Sequence, residues 1–220
     1  MTLLVSCAIK QKDVDGKPGE DAKSVEKIDI TTVDIQKSME YLASDELGGR
    51  ATGSEGIEKA ALFIENYFKK HGIKPYLKQK DSFSNGREFI TGYSKTYRDT
   101  FMLNDVVGYN IVGFVEGNDP ELKNEFVILG GHYDHIGEGK EVNGDIIANG
   151  ANDDASGTVA AMEFGRFFSK SKSNKRSILI TLYDAEEIGL KGSAHLAKRL
   201  KSEGLNAYTC LLYTSDAADD

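Results

Sequence analysis

Phe126-Val127-Ile128-Leu129-Gly130-Gly131-His132-Tyr133-Asp134-His135 reads as a short strand that runs straight into a polar cluster. Residues 126–129 are wholly apolar. Without the alternation of a half-exposed strand, that run predicts a strand buried on both faces. The pattern recurs at Ile178-Leu179-Ile180-Thr181-Leu182-Tyr183, which again ends in acids, Asp184-Ala185-Glu186-Glu187. Between the two, Ser156 to Ser169 places Val159, Met162, Phe164 and Phe167 at helical spacing. Upstream, residues 31–44 carry Val33, Ile35, Met39, Tyr41 and Leu42 on an amphipathic helix. A second helix starts at the N-cap Ser54 and stops at His71-Gly72, and residues 76–116 have strand character. Gly192 to Gly204 reads as a basic helix, and Ala207-Tyr208-Thr209 as the start of a further strand. Buried strands alternating with amphipathic helices indicate an α/β fold whose sheet is covered on both sides.

The 220 residues are 28% charged and 40% hydrophobic, the make-up of one globular domain with a real core. A net charge of −8 argues against nucleic acid as a partner, because phosphate neutralisation needs a basic face. No apolar run approaches the roughly 18 residues of a spanning helix. The cysteines stand near the two ends, Cys7 and Cys210, which excludes a disulfide framework or a thiolate metal site between them.

Leu4-Val5-Ser6-Cys7, followed by Ala8, resembles the lipobox of bacterial lipoproteins, in which the Cys becomes the lipidated first residue. On that reading residues 1–7 are the remnant of a signal peptide and 8–30 a flexible, charged tether. Cys7 is then a lipid anchor to the membrane, and the protein is exported, to the bacterial cell envelope or secreted. The last eleven residues, Cys210 to Asp220, resemble a translated sequencing adaptor, so 210–220 are expected to be a non-native tail.

The chemistry falls in three clusters at strand ends or helix starts, where α/β proteins build their sites. His132 and Asp134 are two residues apart and point the same way on an extended chain. One ring nitrogen can then hold a metal while the carboxylate receives the other N–H. Gly150-Ala151-Asn152-Asp153-Asp154-Ala155-Ser156-Gly157 stands just ahead of a helix. One acid there would be ordinary capping, but Asn-Asp-Asp between glycines exceeds what capping needs. Glu186 and Glu187 leave the end of a buried strand, where paired carboxylates without a cation are costly. His132, Asp153 and Glu187 thus offer an N/O/O set suited to zinc, with manganese or cobalt as alternatives. A further Glu beside the metal is what assisted hydrolysis needs as a base.

This constellation resembles the co-catalytic di-zinc aminopeptidases of peptidase family M28. The resemblance spans residues 31–209 and rests on Gly49-Arg50-Ala51-Thr52-Gly53-Ser54, Gly131-His132-Tyr133-Asp134-His135-Ile136-Gly137, residues 150–157 and Glu186-Glu187-Ile188-Gly189-Leu190-Lys191-Gly192-Ser193. It implies a three-layer α/β/α sandwich with a mixed central sheet, incomplete at the C-terminus, of which 31–209 is the N-terminal part. It also implies two zinc ions: His132 on one, Asp153 bridging both, Glu187 on the other. Glu186 is then the general base of a metal-bound hydroxide, Asp134 the partner of His132, and peptides the substrates. The Asp153–Asp154 bond is expected to be cis.

Two further ligands are expected downstream, an acid at the end of the strand beginning near Ala207 and a later His. Asp216, Asp219 and Asp220 do not take their place, so the chain as it stands is expected to be inactive. A glutaminyl cyclase or a carboxypeptidase of the same fold, or a catalytically incomplete fragment, are the alternative readings; the Asn152–Gly157 string favours the peptidase. His135 reads as a loop residue, His71 as a helix end and His195 as a helix face. Arg50 is expected to hold its loop, and Ser54 to cap its helix.

Overall fold

A computed structural model describes residues 28–76, 78–82, 88–93 and 95–213. The lipobox-like Cys7, most of the tether and residues 214–220 of the tail lie outside the described residues. Two helices come first, α1 (Thr32–Leu42) and α2 (Glu55–Lys70), followed by β1 (Lys74–Pro75), β2 (Lys78–Ser82) and β3 (Glu88–Tyr93). Then come β4 (Arg98–Leu103), β5 (Val106–Val115), β6 (Phe126–His132), β7 (Glu138–Val142) and β8 (Asp145–Ile147). The chain continues through α3 (Ser156–Ser171), β9 (Ser177–Tyr183), α4 (Lys191–Ser202) and β10 (Ala207–Leu212).

The two apolar runs become neighbouring parallel strands, β6 and β9, in the middle of the main sheet. Its order is β1-β5-β9-β6-β10, with β4 also on β5. β5 runs antiparallel to β9 and β10 parallel to β6, so the sheet is mixed. Every residue of β9 is buried, as an unbroken apolar run requires. Ile178, Ile180 and Leu182 pack with Ile57, Phe68, Val159 and Met162 beneath α2 and α3. Leu179 and Tyr183, on the other face, pack with Val112, Leu196 and Leu200 beneath α4. Helices therefore cover both faces, giving the three layers. Among the described residues no helix is long and apolar enough to cross a membrane.

Local chemistry sets the helix entrances. The Ser54 hydroxyl accepts the Ile57 N–H at 3.2 Å and caps α2. Ser54→Ala is expected to cost about 1 kcal/mol in urea unfolding; an unchanged midpoint would discount the cap. Gly56, in the first turn of α2, lies so close to the Leu47 carbonyl that a Cβ would overlap it. That contact seats α2 on the 3₁₀ segment Asp45–Arg50.

Of the run 126–129, expected to be buried on both faces, Phe126, Val127 and Ile128 are only half-buried beside the exposed edge strand β10. Other details depart from expectation as well. Val33 and Ile35 are exposed, although both were counted on the apolar face of α1. Val33 lies nine residues before Leu42 and so on the opposite side of a 3.6-residue helix. The strand starting at Ala207 does not break at Cys210: Cys210, Leu211 and Leu212 pair in register with Ile128, Leu129 and Gly130. Edge pairing uses main-chain groups, so it does not depend on which side chains follow Thr209. All six residues of β10 are exposed.

Candidate metal centre

His132 closes β6 with its ring almost wholly buried. The ring Nδ1 lies 3.4 Å from Asp134 Oδ1 and 3.2 Å from the Asp134 carbonyl, which leaves Nε2 facing outward to the cluster. Asp134 is fully buried, and its other oxygen accepts the Glu187 N–H at 3.2 Å. One carboxylate therefore orients the histidine of one strand end and the backbone of the next. Burial works against a charged His132, yet the Asp134, Asp154 and Glu186 carboxylates together push its pKa up to about 9.

The acidic loop is anchored by the acid that does not face the cluster. The Asp153–Asp154 peptide is cis. The Asp154 carboxylate turns inward and accepts the N–H groups of His132 (3.1 Å) and Gly157 (3.0 Å). A Cβ at Gly157 would overlap that carboxylate, which is why the residue beside it carries none. Burial raises the Asp154 pKa to about 6. Asp153 is left half-exposed, with Oδ1 2.9 Å from His132 Nε2.

Arg50 ties this loop to the rest of the site. Its side chain is buried and donates to the carbonyls of Tyr133 (2.8 Å), Asn149 (2.7 Å), Gly150 (3.0 Å) and Leu42. Burial brings its pKa down to about 10, opposed by Asp134, Asp154, Asp153 and Glu187. The expected loop-holding role is thus wider than one loop, since it joins segments from α1, from the end of β6 and from the turn before Asp153.

The third cluster follows β9. Asp184 is buried and accepts from the Thr52 hydroxyl (2.8 Å), the Ala185 N–H (2.7 Å) and the Tyr109 N–H (3.1 Å); burial lifts its pKa to about 6. Asn110 then clamps the loop at both ends. Its Oδ1 accepts the Asp184 N–H at 3.2 Å, and its Nδ2 donates to the Gly192 carbonyl at 3.0 Å and to Asp99 at 3.1 Å. Nothing in the sequence marked Asn110, because its partners are far away along the chain. Asn110→Leu leaves those buried groups unpaired and is expected to cost about 1–3 kcal/mol in urea unfolding. A stability equal to the wild type would remove the clamp.

Glu187 and Glu186 leave this held loop toward the cluster. Single ligand atoms of His132, Asp153 and Glu187 all lie within 4.8 Å of one another. Glu186 Oε2 is 4.0 Å from His132 Nε2. Burial raises the Glu186 pKa; His132 counters this, while Glu187, Asp134 and Asp153 add to it. His135 stands in the loop after β6, as expected, and its Nδ1 lies 2.6 Å from Glu187 Oε1. The spacing His132-Tyr133-Asp134-His135 hid this, because residues three apart on an extended chain point to opposite faces. His71 stays at the end of α2, and His195 stacks on Phe101 and lies 3.4 Å from Asp99, both outside the cluster.

The donor set fits a divalent cation. One imidazole nitrogen and two carboxylates converge at the open end of the sheet, an N/O/O set of the kind that zinc takes.

The profile of Peptidase family M28 matches residues 110–216. A protein of Pyrenophora teres f. teres named "Probable zinc metalloprotease" is 41% identical over 188 residues, covering 84% of this chain and 35% of that protein. The chain thus spans about a third of the length of the curated relatives it matches over most of its own. The Legionella pneumophila LapA aminopeptidase shares the fold with a TM-score of 0.59 at 21% identity, over 91% of this chain and 48% of that one. A Bacteroides thetaiotaomicron glutaminyl cyclase does so with a TM-score of 0.57 at 19% identity, over 84% and 63%.

Proposed function

Because the chain belongs to peptidase family M28, we propose that it provides the catalytic face of a zinc-dependent aminopeptidase, which removes N-terminal residues from peptides. The observation that carries this reading is the convergence of His132, Asp153 and Glu187, with Glu186 beside them. His132, Asp153 and Glu187 would hold zinc, with Asp153 the residue shared between two ions. Zinc bound there supplies Lewis acidity that polarises a scissile carbonyl and acidifies water.

The chain's own groups do the rest. Asp134 keeps the His132 ring oriented with Nε2 toward the cluster. The Glu186 carboxylate, its pKa raised by burial, takes a proton from the attacking water and returns it to the leaving amine. The half-exposed Asp153 and Glu186 leave the approach open to a peptide.

Hydrolysis of aminoacyl anilides by the full-length protein, abolished by chelation and restored by zinc, is the expected result. Cyclisation of N-terminal glutamine without hydrolysis would assign the site to the other chemistry found on this fold. Asp134→Asn is expected to weaken zinc binding by about 10–100-fold, the usual effect of losing a carboxylate behind a ligating histidine. Isothermal titration with zinc checks this, and an unchanged affinity would contradict the pairing.

A further inference from the structure

We propose that Asp99 of β4 is a positioning residue for hydrolysis: it sets which way round the Asn110 amide sits, and through that amide it places the loop carrying Glu186 and Glu187. The proposal rests on the peptidase reading of that site. Asp99 stands in none of the three polar clusters, yet it is 0% exposed. It faces Asn110 across the β4–β5 pair. Asp99 Oδ2 accepts from Asn110 Nδ2 at 3.1 Å, and Oδ1 accepts from Arg199 Nη1 of α4 at 2.7 Å. His195 Nε2 stands 3.4 Å from the same Oδ1. A carboxylate so deeply buried needs a cation and hydrogen bonds, and α4 and β5 supply them.

The two ends of an asparagine amide have nearly the same shape and opposite hydrogen-bonding roles. Asn110 works only one way round. Its Oδ1 accepts the Asp184 N–H at 3.2 Å, while Nδ2 donates to the Gly192 carbonyl at 3.0 Å. A turned amide would set donor against donor and acceptor against acceptor at both places. Asp99 takes the second Nδ2 hydrogen and, as a carboxylate, can only accept, so it too repels the turned form.

Asp184 and Gly192 are the two ends of the segment that holds Glu186 and Glu187. The fit at Gly192 is tight, since a Cβ there would overlap both the Asp184 carbonyl and Asn110 Oδ1. Inside the segment, Gly189 and Leu190 donate to the Glu186 carbonyl and Lys191 to the Ala185 carbonyl. A shift of its ends therefore carries Glu186 with it. A displacement of about 1 Å at a reacting group can cost on the order of 10²-fold in rate.

The test is a double-mutant cycle in the full-length, zinc-loaded enzyme, made of Asp99→Leu, Asn110→Leu and the pair. Asp99→Leu is expected to lower kcat by about 10-fold or more with KM within about 3-fold of wild type. The pair should lose no more than Asn110→Leu alone, because Asp99 acts through that amide. Unchanged kcat, or losses that multiply in the pair, would overturn the proposal. Asp99→Asn keeps the size and one acceptor oxygen, and it replaces Asp99→Leu in the cycle if the latter does not fold.

Hydrogen exchange separates this from failure of the peptidase reading. In the Asp99 variant the amides of Gly189, Leu190 and Lys191 should exchange about 10-fold faster, with those of Val159 to Met162 in α3 unchanged. If wild type hydrolyses no peptide, the activity assignment fails while such local acceleration upholds the placement of the loop. Unchanged exchange in the loop, or equal acceleration in α3, overturns it whatever the activity.

Discussion

Glu186→Gln in the full-length enzyme is expected to lower peptide hydrolysis by about 10²–10⁴-fold, with zinc content unchanged. The substitution keeps the size of the side chain and removes its ability to accept a proton. It leaves the surroundings in place, because the loop is held through the main chain. The Glu186 carbonyl accepts the N–H groups of Gly189 and Leu190, both at 2.9 Å, and Asp184 and Asn110 anchor the preceding turn. His132, Asp153 and Glu187 are untouched, so the metal should stay.

The pH dependence follows from the sign of the Glu186 shift. Its pKa is raised by burial, and a base works only when deprotonated. Wild-type kcat/KM should therefore fall as the pH drops through that raised value, and the Gln variant should lose this acid limb. Full activity in Glu186→Gln would remove the base assignment, and loss of zinc from it would make Glu186 a ligand instead.

Arg50→Ala is expected to destabilise the fold by roughly 3–5 kcal/mol, the scale seen when one partner of a buried charged cluster is removed. The guanidinium is 1% exposed and serves the carbonyls of Leu42, Tyr133, Asn149 and Gly150. Truncation leaves those acceptors short of a donor, and Asp134, Asp154, Asp153 and Glu187 lose a nearby positive charge. Arg50→Lys should recover little of the loss, because an ammonium on a flexible stem cannot span acceptors that the planar fork reaches together. Urea unfolding of the three proteins measures this. An Ala variant within 1 kcal/mol of wild type would show that the loops hold without the arginine.

Much of the architecture was legible beforehand. Ile178 to Tyr183 reads as a doubly buried strand because one apolar residue follows another, and a two-residue repeat then sends side chains into both layers. The three polar clusters could be placed because each follows an apolar strand or precedes a helix. The arginine was visible too, within Gly49-Arg50-Ala51-Thr52-Gly53, but not its acceptors. Asn110 and the His135–Glu187 pair were not legible. Asn110 sits inside a strand that reads as core, and His135 meets an acid 52 positions away.

By itself the sequence determined helices α1 to α4, the central strands β6 and β9 and which of their ends carry acids and histidines, since these depend on spacings of two to four residues along one segment. Only the tertiary structure decided which ends meet. β6 and β9 lie parallel and adjacent, which brings His132 beside Glu186 and Glu187. Arg50 and Asn110 hold the loops that bring Asp153 and the two glutamates to that place. Such meetings depend on strand order and on buried groups finding partners across the fold, and no local spacing encodes them.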